Sequence, residues 1–198
     1  MILPIVAYGH PVLKKEAEEI DQDYPNLKEL IANMFETMYA ANGVGLAAPQ
    51  IGLGIRLFIV DASPFAEDPE EGDDPAEIEL LKNFKKVFIN PIIEEESGKE
   101  WPFAEGCLSI PDIREEVKRK PEVVISYYDE NWELKEETYS GFAARVIQHE
   151  YDHVEGILFT DRIHPLKRNM LRGKLDDIAK GKIDVHYKMK FFTKKKGR

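Results

Sequence analysis

The string His149-Glu150-Tyr151-Asp152-His153 sets two imidazoles four residues apart with a carboxylate beside the first. On a helix, positions i and i+4 stand about 40° apart, so both rings can reach one metal ion while Glu150 handles a proton on bound water. An ordinary buried histidine pair is the competing reading. Phe142 and Val146 continue the stripe that carries His149 and His153, so both rings face inward and Glu150 comes indoors with them. Burying that carboxylate without a cation or a donor is costly, which favours a metal.

A catalytic metal site needs a third protein ligand and leaves one position open. In the long metallopeptidase pattern H-E-x-x-H-x-x-G-x-x-H the next ligand falls on Phe159, which cannot ligate. Asp176 or Asp177 could substitute, although both sit in what reads as the exposed face of a charged helix. The single cysteine, Cys107, is the better candidate, because a thiolate is a strong ligand for zinc or ferrous iron. Taken alone, Cys107 reads first as a small buried residue. Its neighbours Glu105-Gly106-Cys107-Leu108-Ser109 read as a turn in which a glycine lets backbone N–H groups face a substrate.

A third segment, Gly43-Val44-Gly45-Leu46-Ala47-Ala48-Pro49-Gln50, has the small residues that permit close approach and lacks the lysine of a phosphate loop. Taken by themselves, the glycines and alanines are explained better by tight packing after the first helix than by ligand contact. Gln50 adds an amide donor.

Together GVGLAAPQ, EGCLS and QHEYDH (Gln148 to His153) resemble, in order, the three signature motifs of the peptide deformylase family. The resemblance runs from the first helix to about Asp161. It implies an α+β fold with a metal helix among β-sheets, and removal of the formyl group from nascent polypeptides that begin with N-formylmethionine. By the same resemblance Cys107, His149 and His153 hold a divalent metal, ferrous iron in the cell, with zinc, nickel or cobalt as replacements. Glu150 is then the acid/base, and Gln50 with the backbone N–H of Leu108 stabilises the oxyanion. Val44 and Gly45 could bind the peptide backbone as an added strand. Phe142 and Val146 could wall a pocket for the methionine side chain, or simply be core.

These residues need elements to hold them. Leu27, Leu30, Ile31, Met34, Phe35 and Met38 form one helical stripe, with Pro25 in the first turn and Asn42-Gly43 as its stop. Extended segments are expected over 55–60 and 87–93. The pair 122–128 and 132–139 brackets Asp129-Glu130-Asn131 as a hairpin. The metal helix runs from Ser140 to about Gly156, and a third helix from about Pro165 to Lys180. Residues 63–79 carry eight acidic residues, three prolines and no base, and read as an exposed, mobile insertion loop. The end, HYKMKFFTKKKGR, reads as basic and weakly structured. The expectation is one α+β domain over 1–198, with mixed or antiparallel sheets around the metal helix and helices towards both ends.

With 198 residues, 43% of them hydrophobic, the chain can bury a substantial core, and one cysteine excludes an intrachain disulfide. A net charge of -10 argues against wholesale binding to DNA or anionic lipid. The N-terminus has no basic leader and no segment approaches a membrane span, so the expected location is cytoplasmic. Lys188, Lys190, Lys194, Lys195, Lys196 and Arg198 could hold the tail (188–198) to the ribosome. Two other classes stay open: a zinc endopeptidase built on the same helix with a downstream carboxylate, and a binding module with a structural metal.

Overall fold

The computed structural model describes residues 1–67 and 74–193. In chain order the elements are β1 (Ile5–Val6), α1 (Leu27–Ala40), β2 (Gly45–Ala47), β3 (Leu57–Asp61), α2 (Pro75–Lys82), β4 (Lys85–Ser97), β5 (Trp101–Cys107), β6 (Ile110–Arg119), β7 (Glu122–Tyr128), β8 (Leu134–Ser140), α3 (Gly141–Val154), α4 (Phe159–Arg162), α5 (Pro165–Ala179) and β9 (Met189–Lys190). Strands β2-β3-β4-β7-β8 make one antiparallel sheet, β5 and β6 a separate antiparallel hairpin, and β1 and β9 a parallel pair. The architecture is the expected α+β type.

Helix α3 occupies the centre. Eleven of its fourteen residues are buried, so it is enclosed on nearly every side rather than laid on a surface. Ala143, Ala144, Val146, Ile147 and Val154 join Phe58, Phe88, Val123 and Ile125 of the sheet in one apolar cluster. The far face of the sheet, through Leu57 and Ile59, packs on Ile31, Met34, Phe35 and Met38 of α1. The alternation of strand residues between faces thus lets β3 serve both layers.

Several boundaries differ from expectation. Helix α1 starts at Leu27, not in the turn of Pro25, because Asn26 adopts a left-handed conformation (φ 55°) that breaks the helical path. The hairpin turn is longer than three residues: Asp129 Oδ1 accepts from the N–H groups of Asn131 and Glu133, and Trp132 has φ 61°. Pairing of the tail with β1 makes residues 189–190 a strand, a correction to the expected weakly structured end, while residues 194–198 lie outside the described residues.

The 63–79 segment is also corrected. Ser63–Ala66 is a 3-10 turn, and Pro75 opens α2 behind an Asp74 side chain that accepts from the N–H of Ala76. Phe65 stacks on Phe142 with centroids 5.1 Å apart, and the Glu77 carboxylate accepts from the N–H of Phe142 at 2.8 Å. Those contacts offset the acidic composition at both ends of the segment. Residues 68–73 lie outside the described residues.

Candidate metal centre

Helix α3 delivers His149 and His153 one turn apart, with ring centroids separated by 5.1 Å. Both are buried. Cys107 arrives from the end of β5, where the β5–β6 register shifts between Gly106 and Cys107 and re-aims the chain. Its Sγ lies 3.4 Å from His153 Nε2. One donor atom from each of Cys107, His149 and His153 falls within 4.8 Å of the others, a separation that one ion can bridge.

The Nδ1–H of His149 donates to Glu105 Oε2 at 2.9 Å, which leaves the opposite ring nitrogen for the side of Cys107. Glu105 is in turn held by Arg119, whose Nε and Nη2 donate to its two oxygens at 2.6 and 2.9 Å, and by Arg145 Nη1 at 3.1 Å. Arg119 Nη1 continues to Asp152 at 2.8 Å. Two buried arginines and two buried carboxylates therefore neutralise one another around the ligand helix. Burial alone would raise the Glu105 carboxyl, but the hydrogen bonds from Arg119 and His149 hold it well below the usual range. Burial drives His153 well below its ordinary value, towards the neutral form that a ligand must have.

None of Glu105, Arg119, Arg145 and Asp152 was singled out from the sequence. A signal existed in α3, where Arg145, His149 and Asp152 follow i, i+4, i+7 and so share the inward face.

Glu150 is 4% exposed and its Oε2 has no hydrogen-bond partner among the described residues. Burial, reinforced by Glu105 and Asp152 against His149 and Arg119, pushes its carboxyl up to about 7. Across from it stands Gly45 on β2, where a Cβ would meet Glu150 Oε1 at 2.4 Å. The glycine of the GVG run is thus required by the carboxylate's position. Gln50 is clamped: Oε1 accepts from the N–H of Ala47 at 2.8 Å, and Nε2 donates to Cys107 Sγ at 3.4 Å.

These groups open on a cavity of about 640 Å³ lined by Val44, Gly45, Gln50, Leu108, Val146 and Glu150 together with Phe65 and Phe103. Phe142 does not line it. That ring stands behind, stacked on Phe65 and edge-on to Phe103 at 5.6 Å. Phe65 was missed in the sequence because an apolar residue in an acidic, proline-rich stretch has no periodic neighbours to mark it.

The donor set fits a divalent ion. One cysteine sulfur, two imidazoles and a buried carboxylate with an oxygen unpaired among the described residues could make a three-ligand site with a proton acceptor beside it, the composition of a catalytic rather than a closed structural centre. Asp176 and Asp177 stay exposed on α5, and Phe159 is buried, so the endopeptidase alternative lacks its ligand.

The polypeptide deformylase family profile matches residues 2–169. The chain belongs to that family. It is 62% identical over 198 residues, 100% of both chains, to the peptide deformylase of Christiangramia forsetii, and 58% identical at the same coverage to that of Flavobacterium johnsoniae. Among solved structures, a peptide deformylase from Legionella pneumophila superposes with a TM-score of 0.75 at 37% identity, covering 92% of this chain and 98% of that one. The Thermotoga maritima enzyme gives 0.71 at 39% identity, covering 83% and 99%. Family membership agrees with the metal-dependent site and with the absence, among the described residues, of any helix long and apolar enough to cross a membrane.

Proposed function

We propose that this member of the family hydrolyses the N-terminal formyl group of formylmethionyl nascent peptides with Glu150 as proton carrier, Gln50 and the Leu108 N–H as oxyanion donors, and Cys107, His149 and His153 as metal ligands. The observation that carries the reading is the convergence of those three donor atoms within 4.8 Å beside a buried carboxylate oxygen with no partner. A divalent ion in that set supplies Lewis acidity, which brings the pKa of a water towards about 7. Ferrous iron is the ion in the cell, with zinc, nickel or cobalt as replacements; a mixed thiolate and imidazole set accommodates all four.

Glu150 takes the proton of the water that attacks the formyl carbon. As the carbonyl oxygen gains charge, the Gln50 Nε2–H and the Leu108 N–H donate to it, an attraction larger in the tetrahedral state than in the substrate. Gln50 is suited to this because its oxygen is already engaged by Ala47, which leaves the amide nitrogen turned towards the ligands. Glu150 then returns the proton to the departing amine. The C–N bond breaks, and formate and a free amino terminus leave.

Val44, half-buried just before β2, and Gly45, in β2 at the edge of the sheet, bind the peptide backbone, and Val146 walls the methionine side chain with Phe142 as support behind Phe65. The basic tail, of which Lys188 and Lys190 are exposed and residues 194–198 lie outside the described residues, holds the enzyme near the ribosome in the cytoplasm. Anaerobic measurement of metal content and formate release in Cys107→Ala tests the core of this reading. The expected result is loss of both. Full occupancy with retained deformylation would overturn it.

A further inference from the structure

The family profile ends at residue 169, yet the chain beyond it returns to the site. After α5 the backbone runs along the cavity rim, where Asp184, Val185, His186 and Tyr187 join the lining, and then enters β9. Parallel pairing of β9 with β1 fixes that path: the Ile5 N–H donates to Lys188 O and the Ala7 N–H to Lys190 O, each at 2.9 Å.

Tied together in this way, the two chain ends each give one hydrogen bond to the turn that follows Cys107. The Tyr187 hydroxyl donates to Leu108 O at 2.7 Å, and the Tyr8 N–H donates to Ser109 O at 2.8 Å. The Tyr187 ring packs in the same apolar cluster as Leu108 and Met38. A third tie joins His186 Nε2 to Nδ2 of Asn42, the residue that precedes the GVG segment, at 3.3 Å.

We propose that Tyr187 is a positioning residue for deformylation: its hydroxyl, carried on the strap 184–190, holds the 108–109 peptide through Leu108 O and so limits the backbone rotation at Leu108 that would carry its N–H, in the neighbouring 107–108 peptide, out of line with the ligand helix. The inference rests on the oxyanion role given above to Leu108. Two carbonyls tied from outside, at 108 and 109, fix the 108–109 and 109–110 peptide planes, and the 107–108 plane that carries the Leu108 N–H hinges on the first of these at the Leu108 Cα. Without the hydroxyl, Leu108 keeps its side-chain packing but loses the restraint on its backbone.

Tyr187→Phe removes only the hydroxyl. In the full-length, metal-loaded chain acting on a formyl-methionyl peptide, kcat should fall about tenfold, the scale of a modest misplacement of a transition-state donor. KM should stay within about twofold and metal content should be unchanged, since ground-state binding and the three ligands do not use the hydroxyl. Tyr187→Leu, which also removes ring packing, should lower the melting temperature and lose kcat to a similar extent. A purely structural role predicts the opposite pattern, a lower melting temperature in both variants with kcat per folded, metal-loaded molecule preserved. That pattern, or a Tyr187→Phe kcat within twofold of the parent, overturns the proposal. Cys107→Ala measured alongside separates the two readings: if it loses metal and activity while Tyr187→Phe is silent, only the role of Tyr187 falls.

Discussion

His149, Glu150 and His153 take their relative positions from one helix of fourteen residues, whereas Cys107 meets His153 across 46 residues of chain and Gln50 meets Cys107 across 57. In the helical half, 3.6 residues per turn suffices to align the groups, and a buried cage of Glu105, Arg119, Arg145 and Asp152 holds the helix in place. In the other half, a bulge at Cys107, a clamp on Gln50 and hydrogen bonds from both chain ends do the alignment. The helical half therefore fails only when its surroundings fail. The strand half depends on several separate contacts, each of which can be removed singly.

Among variants that replace no ligand and no acid/base group, the largest expected effect comes where the two halves touch. Gly45→Ala puts a methyl at 2.4 Å from Glu150 Oε1 and forces the carboxylate aside without altering any ligand. Displacement of about 1 Å can cost on the order of 10² in rate, so kcat for formyl-methionyl peptide should fall about a hundredfold with metal content intact. Steady-state kinetics on metal-assayed protein would reveal it, and unchanged kcat would mean that Glu150 sits elsewhere during turnover.

Next comes the cage. Glu105→Gln keeps the shape but weakens the acceptor for His149 and leaves Arg119 and Arg145 with less compensating charge. Partners of metal-bound histidines are typically worth 10–100-fold in affinity. Competition with a chelator should show weaker metal retention of that size, together with a lower melting temperature.

The smallest effect tests the segment at the start of α3. Ser140 makes no side-chain cap there, and Glu77 supplies the acceptor for the Phe142 N–H instead. Glu77→Ala should cost about 1 kcal/mol of stability, as lost caps do, with kcat within about twofold. Denaturant unfolding gives the first number directly.

The sequence carried the helical half well, since two histidines, a glutamate and their apolar stripe are local and periodic. Cys107 could be proposed by chemistry, as the one thiol available. Gln50 reads from the residues only as an available amide donor, and its oxyanion role and that of Leu108 entered through the resemblance to a family. What stayed hidden were long-range pairings of types that normally lie at the surface. Arg119 reads as one more charge in a strand of Arg and Glu residues, yet it is 4% exposed because Glu105 and Asp152 neutralise it. Phe65 lies in a stretch whose acidity spoke for a loop, and Tyr187 in one whose basicity spoke for a loose tail. In both, a few tertiary contacts outweighed the composition around them: Phe65 on Phe142 and Glu77 on the Phe142 N–H in the first, the β1–β9 pairing and the Tyr187 hydroxyl in the second.

In the proposed mechanism Glu150 moves the proton without holding the metal. Zinc-loaded Glu150→Ala, measured for metal stoichiometry and for formate release from a formyl-methionyl peptide on the same sample, tests it most directly. The expected result is near-stoichiometric zinc, an unchanged melting profile, and turnover slower by at least about a hundredfold, within the range general acid/base groups contribute. Loss of the metal would make Glu150 a ligand or a structural group, and retention of both metal and most of the rate would mean that another base does the work.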